Sequence, residues 1–148
     1  MRHMTDEGLD LIKLYEGYSP SAYLCPASHW TIGYGAIWGL DNNRVTEEHP
    51  DINEEQADQL LRRDVKISEV AVLRQIKVTL EDGQFNALCS FVFNLGSGSL
   101  QSSTLRRKIN RGDYIGAADE FPRWVFAGGR KLKGLIKRRN HERLMFLD

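Results

Sequence analysis

The chain alternates between stretches with helical and with strand-like patterns of apolar residues. Apolar residues three apart predict a first helix from Thr5 to Glu16, which Gly17 ends. Residues 18–39 are instead rich in aromatic residues, glycine and proline, which predicts a small antiparallel sheet. The polar residues 41–52 predict a loop, so the first third of the chain carries a helix followed by a sheet.

The remainder of the chain is predicted to be helical. A capping-box sequence at Asn53 starts a long connecting helix, which we assign to residues 53–80. The segment from Asp82 to Leu95 is apolar nearly all round, which is typical of a central core helix. Shorter helical patterns follow in residues 103–110, 113–121 and 135–147, with a glycine-containing loop from Trp124 to Arg130.

These elements predict the α+β class and a single domain over residues 1–148. We expect a sheet-bearing lobe of residues 13–52, joined through the connecting helix to an all-helical lobe of residues 81–148. Residues 1–12 are expected to pack on the helical lobe. A cleft between two lobes is the usual place for a ligand, so we expect the functional site there.

Composition adds a charge asymmetry to this picture. The net charge is zero, but residues 1–103 hold 8 basic and 15 acidic side chains, whereas residues 104–148 hold 12 and 5. A basic C-terminal region suits an anionic polymer such as cell wall or nucleic acid, or a lipid surface. The other interpretation is that the two parts attract each other, and the sequence leaves both open.

The two cysteines do not make a disulfide framework, which favours synthesis in the cytoplasm. Cys89 lies in an apolar helical pattern and is expected to be buried, whereas Cys25 lies among polar residues and prolines. The first residues lack the apolar run of a signal peptide, and no stretch reaches membrane-spanning length. The four histidines lack metal-ligand spacing, so we predict no metal and no cofactor.

Three groups that can handle protons, Glu16, Cys25 and Thr31, lie within sixteen residues. A hairpin would bring them together. Glu16 ends a predicted helix between two tyrosines, and the partial negative charge there favours the neutral acid that a general acid needs. On position alone, a solvated glutamate at a helix end is the more common case.

The second candidate, Cys25, has an ordinary thiol pKa of ~8.5, so part of it is thiolate near neutral pH and can act as base or nucleophile. His29 would lower that pKa if the loop brought the two together. The hydroxyl of Thr31 suits the orientation of a water molecule. A half-exposed thiol and a strand threonine without special roles are the alternatives.

The sequence from Glu16 to Gly35 contains Glu-Gly, Ala-Tyr, a polar residue nine after the glutamate, and Thr-Ile-Gly-Tyr-Gly. The resemblance that these motifs carry is to the active-site stretch of the phage-type lysozymes, glycoside hydrolase family 24, particularly the endolysins of lambda-like phages and their prophage relatives. It covers nearly the whole chain, continuing in order through Phe93-Asn-Leu-Gly96, Ser103-Thr-Leu-Arg106, Asn110-Arg-Gly-Asp-Tyr114, Ala117-Ala118, Glu120-Phe121, Arg123-Trp124, Ala127-Gly-Gly129, Gly134-Leu135 and Arg138-Arg139.

The resemblance implies a lysozyme-like fold and a muramidase that cleaves the β-1,4 bond between N-acetylmuramic acid and N-acetylglucosamine in peptidoglycan, lysing the host. Carried over by position, Glu16 is the general acid and Thr31 holds the water or the adjacent intermediate. Cys25 occupies the position where aspartate is common in the family. We favour Cys25 as a base acting through that water, with covalent attack by the thiolate as the alternative.

By the same resemblance, four residues are expected to line the substrate groove: Tyr34, Gly35, Phe93 and Thr104. The implied partner is the peptidoglycan glycan strand, with no nucleic acid, and the protein is expected to be a monomer. We expect it to stay in the host cytoplasm until a holin permeabilises the membrane, and then to act on the wall.

Two other functions have distinct signatures. A lysozyme-like module that binds wall glycans without cutting them would not need Glu16 and Thr31. A thiol peptidase or amidase would use Cys25 with His29 and would also not need Glu16. The released products separate these classes: new reducing sugar ends indicate a hydrolase, free peptide stems an amidase, and anhydro-muramic ends a transglycosylase.

Overall fold

The computed structural model describes residues 1–148 as eight α-helices and four short strands. In chain order these are α1 (Asp6–Glu16), β1 (Ser19–Leu24), β2 (Trp30–Gly33), α2 (Glu54–Asp64), α3 (Lys66–Gln75), α4 (Asp82–Leu95), α5 (Ser97–Gln101), α6 (Thr104–Asn110), α7 (Tyr114–Ala118), β3 (Phe126–Ala127), β4 (Arg130–Lys131) and α8 (Lys133–Leu147). Helices combined with small antiparallel sheets confirm the predicted α+β class. None of the helices has both the length and the apolar character needed to cross a membrane.

The chain forms two compact units. The first, which we call the sheet unit, comprises residues 12–66, and the second, the helical unit, comprises residues 1–11 with 67–148. The division differs from the predicted boundaries, because α2 belongs to the sheet unit rather than to a separate connecting element. Leu60 of α2 lies in the same buried cluster as Ile32 of β2, which explains this assignment.

In the sheet unit, β1 and β2 pair as an antiparallel hairpin with an irregular register between Ser19 and Tyr23. Helix α2 packs directly on this hairpin. Gly33 lies against the helix, because a Cβ atom there would lie 3.3 Å from the Cβ of Ala57. Gly33 also has a φ of 67°, a conformation that glycine adopts without strain. This glycine therefore lets helix and strand approach, and it fixes the strand that carries Thr31.

Helix α4 is the centre of the helical unit, as its all-round apolar pattern predicts. Every residue from Phe85 to Val92 is buried. Helix α8 packs against α4 so closely that a Cβ on Gly83 would clash with the carbonyl oxygen of Met145. Cys89 is fully buried here, as expected, and burial raises the pKa of its thiol well above the ordinary value.

Arg138 and Arg139 of α8 lie in the interior of the helical unit, although adjacent arginines are typical of a solvated helix face. Both are buried, and Arg139 is fully inaccessible. Glu142, one turn further along α8, lies 2.8 Å from Arg139 Nε and also accepts a hydrogen bond from the hydroxyl of Ser90. Buried arginines need such partners, because an unpaired charge in the interior is costly. The pattern of α8 alone could not show that α4 supplies part of this network.

The predicted connecting helix over residues 53–80 is also divided and shorter. It breaks at Val65 into α2 and α3, and α3 ends at Gln75. Asn110 explains the end: its side chain accepts from the backbone N–H of Lys77 at 2.7 Å and donates to the carbonyl of Gln75 at 3.0 Å. A residue 35 positions beyond Gln75 thus ends the helix, and local sequence cannot reveal it.

Three smaller differences lie further along the chain. The glycine and serine residues after α4 form the short helix α5, which the apolar pattern did not predict. The segment predicted as a helix from Asp113 to Phe121 is shorter, because α7 ends at Ala118 and a 3-10 turn spans Phe121–Arg123. The loop after Trp124 contains the two-residue strands β3 and β4, joined at Gly128 and Gly129, which both have positive φ.

Candidate active site

Glu16 is the last residue of α1, and its carboxylate lies against Gly35. Helix α1 ends where Gly17 takes a φ of 75°, which residues other than glycine adopt only with strain. The Glu16 side chain is half-buried, and its Oε1 lies 3.4 Å from the position that a Cβ on Gly35 would occupy. Gly35 has a φ of 93°, so the chain leaving β2 turns beside this carboxylate. Two predicted site residues therefore meet directly.

Cys25 begins the tight turn that joins β1 to β2. Its backbone N–H donates to the carbonyl of His29 at 3.0 Å, and its carbonyl accepts from the N–H of Ser28 at 2.8 Å. Ser28 has a φ of 64°, which is uncommon for a serine and closes the turn. Residues 26–29 are exposed, so hydrogen bonds rather than burial define the shape of this turn.

The same turn surrounds the sulfur of Cys25 with hydrogen-bond donors. The backbone N–H of His29 is the main cause that lowers the pKa of the Cys25 thiol below its ordinary value. The hydroxyl of Thr31 and the backbone N–H of Ala27 act in the same direction, while partial burial opposes them. Hydrogen bonds to the anion favour the thiolate, so this turn prepares Cys25 to act as a base or nucleophile.

The contribution of His29 differs from the one that its sequence position suggests. Its backbone N–H, rather than its imidazole, is the main cause that lowers the pKa of the Cys25 thiol. The imidazole Nδ1 instead lies 3.2 Å from Nη2 of Arg44. His29 therefore shapes the environment of Cys25 without forming the thiolate–imidazolium pair that a thiol peptidase needs.

Thr31 is buried on β2, and its hydroxyl faces two acceptors. It donates to the carbonyl of His29 at 2.9 Å, and it also lies within hydrogen-bonding reach of the Cys25 sulfur. A hydroxyl has one hydrogen and can serve only one acceptor at a time. The charge-assisted bond to the sulfur is favoured when Cys25 is a thiolate. When Cys25 is protonated, the hydroxyl can bond the carbonyl and accept the S–H.

Tyr23 interacts electrostatically with both Cys25 and Glu16, although the sequence analysis gave it no role. It pairs with Thr31 across the hairpin. Partial burial is the first cause that raises the pKa of its phenol, followed by the negative charges of Cys25 and then Glu16. The charges of both Cys25 and Glu16 therefore act on the same phenol. The alternation of strand residues could have identified it, because residues 23 and 25 of an extended chain point the same way.

The four predicted groove residues divide between the two units. Tyr34 and Gly35 belong to the sheet unit, where Tyr34 packs 5.6 Å from the ring of Tyr18 and beneath the ammonium group of Lys13. Phe93 on α4 and Thr104 at the start of α6 belong to the helical unit, and both are half-buried. The hydroxyl of Thr104 accepts a hydrogen bond from Arg107 at 2.8 Å.

Comparison with known proteins gives the arrangement a family context. Residues 13–142 match the family model described as phage lysozyme. The endolysin of Acyrthosiphon pisum secondary endosymbiont phage 1 is 43% identical over 148 residues, which is 97% of each chain. The endolysin of Bacillus phage B103 is 41% identical over 98% of this chain, which spans 54% of that longer protein.

The fold is also similar to that of a lysozyme of known structure. The crystal structure of a P22 lysozyme mutant superposes with a TM-score of 0.93 at 33% sequence identity, and the match covers 100% of both chains. Agreement over the complete length includes the segment that carries Glu16, Cys25 and Thr31. The chain belongs to the phage lysozyme family.

Proposed function

We propose that this protein is a phage endolysin, a muramidase that hydrolyses the β-1,4 bond between N-acetylmuramic acid and N-acetylglucosamine in peptidoglycan and lyses the bacterial host. Membership of the phage lysozyme family supports this reaction. The observation that carries it is the presence in one compact unit of a carboxyl group at Glu16 and a thiol–hydroxyl pair at Cys25 and Thr31. Glycosidases need an acid and a second group at the scissile bond.

Glu16 is the general acid in this proposal. Its protonated carboxyl group donates a proton to the glycosidic oxygen as the bond from that oxygen to the anomeric carbon breaks. The position of the carboxyl group against Gly35 supports this role, because a residue without a side chain leaves room beside it for a sugar. Glu16 is the last residue of α1, so this helix holds its backbone in place.

Cys25 is the base that activates water. A water molecule held by the hydroxyl of Thr31 gives a proton to the thiolate, and its oxygen attacks the anomeric carbon from the face opposite the leaving group. The hydrogen bonds around the sulfur support this role, because they stabilise the thiolate. A water-mediated attack inverts the configuration at that carbon. In the alternative, the sulfur attacks directly, forms a thioglycoside and gives retention after hydrolysis.

From the family resemblance, four residues are proposed to contact the substrate: Tyr34, Gly35, Phe93 and Thr104. Aromatic faces suit sugar rings, and backbone and hydroxyl groups suit N-acetyl substituents. The half-buried state of Phe93 and Thr104 leaves part of each side chain accessible.

Access to the wall is proposed by analogy with the family. The protein waits as a monomer in the host cytoplasm and reaches peptidoglycan after a holin opens the membrane. Expression with and without a holin, followed by the optical density of the culture, tests this step. Equally rapid lysis without a holin would contradict it.

Product analysis on purified peptidoglycan tests the reaction itself. The proposal expects new reducing ends at N-acetylmuramic acid, no free peptide stems and no anhydro-muramic ends. Free stems would indicate an amidase, and anhydro ends a transglycosylase. If neither the wild type nor Glu16→Gln releases any product but both bind the wall, the protein is a binding module.

A further inference from the structure

A short hairpin formed by residues 37–45 follows the sheet and carries Arg44. The N–H of Val45 donates to the carbonyl of Ile37 at 2.9 Å, and the N–H of Gly39 donates to the carbonyl of Asn43 at 2.8 Å. Between these bonds, Trp38 and Arg44 form an antiparallel bridge. The hairpin therefore holds the backbone of Arg44 in a defined position.

Helix α2 fixes this hairpin in place. The guanidinium group of Arg63 donates to the carbonyl of Gly39 and to the carbonyl of Trp38, each at 2.9 Å. Val45, at the base of the hairpin, is buried in the same apolar cluster as Leu60 of α2. Arg44 thus extends from a backbone that is anchored at both its tip and its base.

The side chain of Arg44 reaches from this hairpin to the turn that carries Cys25. Its guanidinium carbon lies 5.4 Å from the centre of the Trp38 ring, and its Nη2 lies 3.2 Å from Nδ1 of His29. A guanidinium group can only donate hydrogen bonds. Nδ1 of His29 must therefore accept, which places the ring proton on Nε2. Stacking on an aromatic ring also restricts the rotamers of the arginine.

His29 passes this contact on to the active site. Its carbonyl accepts from the N–H of Cys25 at 3.0 Å and from the hydroxyl of Thr31 at 2.9 Å. Its own N–H is the main cause that lowers the pKa of the Cys25 thiol. The turn from Pro26 to His29 is exposed and has little packing of its own. Such segments open at low cost, so a contact from outside the turn decides how well its donors stay aimed at the sulfur.

We propose that Arg44 is a positioning residue for Cys25, which it serves by holding the imidazole of His29 and thereby the turn whose donors surround the sulfur. The catalytic consequence rests on the proposed function. The effect on the thiol does not, because it can be measured without a glycan substrate.

The test is the rate of alkylation of Cys25 by iodoacetamide as a function of pH. Cys89 is fully buried, so Cys25 is the thiol that reacts in the folded protein. Arg44→Gln is expected to shift the alkylation profile to higher pH, with about threefold slower reaction near neutral pH, the effect of half a pKa unit. Every variant keeps Tyr23, whose phenol interacts electrostatically with both Cys25 and Glu16. An unshifted profile would overturn the proposal.

A second variant separates positioning from the simple loss of a positive charge. His29→Ala keeps Arg44 but removes the ring that it holds, so it is expected to shift the profile as Arg44→Gln does. The double variant is expected to add nothing further, because both substitutions break one chain of contacts. Additive shifts, or an unaffected His29→Ala, would show that Arg44 acts by charge alone.

The hydrolase assay completes the experiment. Arg44→Gln is expected to lower kcat and leave KM nearly unchanged, whereas Arg130→Gln, which removes an exposed arginine of the helical unit, is expected to change neither. A change confined to KM would contradict a positioning role. If Arg44→Gln shifts the alkylation profile but the wild type releases no reducing ends from peptidoglycan, the proposed function is contradicted. The assignment of Arg44 as a positioning residue then remains intact.

Discussion

Oε1 of Glu16 lies 3.4 Å from the point where Gly35 would carry a Cβ atom, so the proposed general acid lies directly beside the turn that follows β2. The φ of 93° at Gly35 adds a second constraint, because a residue with a side chain is strained there. The two constraints together make this glycine sensitive to substitution.

Gly35→Ala is expected to lose most activity on peptidoglycan. Backbone strain alone costs about 1–2 kcal/mol, and the added methyl group would also fill the space beside the Glu16 carboxyl group. The matched control is Gly112→Ala, where φ is 83° but nothing lies within 4 Å of the new atom. Measurement of thermal stability and wall clearing should show similar destabilisation but a loss of activity only at Gly35. Equal activity of the two variants would remove this contact from the account.

Substitutions at Cys25 distinguish an essential base from an incidental thiol. Cys25→Asp is expected to retain substantial wall lysis, because a carboxylate can accept a proton from water at the same place. Cys25→Ala is expected to lose about 10²-fold or more, the usual contribution of a general base. Initial rates of turbidity loss measure both. An alanine variant as active as the wild type would remove Cys25 from the mechanism.

The direction of the pKa shift at Cys25 predicts a pH profile. The hydrogen-bond donors lower the thiol pKa, so the thiolate forms, and the rate rises, at a lower pH than an ordinary thiol would allow. Thr31→Val removes one donor and should move this rise to higher pH. Cys25→Asp should move it to lower pH, since aspartate has an ordinary pKa of ~3.9. Coincident profiles for the three proteins would contradict thiolate catalysis.

Stability of the helical unit is predicted to depend on the buried ion pair of α8. Glu142→Ala leaves Arg139 charged and unpaired in the interior, which is expected to cost about 3–5 kcal/mol. Asp119→Ala breaks the exposed pair with Arg143, which lies at 2.9 Å, and should cost about 0–1 kcal/mol. Urea unfolding of the two variants gives the comparison. Similar losses would mean that burial does not set the strength of these pairs.

The sequence predicts those features of the fold that depend on local pattern. The ends of α1 and α4 follow from apolar periodicity and from the glycines that stop them, and both agree with the structure. The end of α3 does not, because Asn110 imposes it from a distant part of the chain. The burial of Arg139 likewise depends on α4, which the pattern of α8 does not contain.

The candidate site likewise combines features that the sequence could predict with features that depend on the folded structure. Glu16, Cys25 and Thr31 could be selected from their chemistry, their spacing and the family resemblance. The role of the His29 backbone could not, because every residue type has a backbone N–H and only the turn geometry aims this one at the sulfur. The role of Arg44 also depends on pairing across its hairpin, which fixes its neighbours only once the strand register is known.

The most direct test of the account is the rate at which Glu16→Gln releases reducing ends from purified peptidoglycan. The variant keeps the size of the side chain but removes the ionisable proton, so a loss of about 10²–10⁴-fold relative to the wild type is expected. Glu7→Gln, on the exposed first turn of the same helix, is the control and should keep full activity. A Glu16→Gln variant that releases reducing ends at the wild-type rate would contradict the central claim that Glu16 is the general acid of a glycosidase.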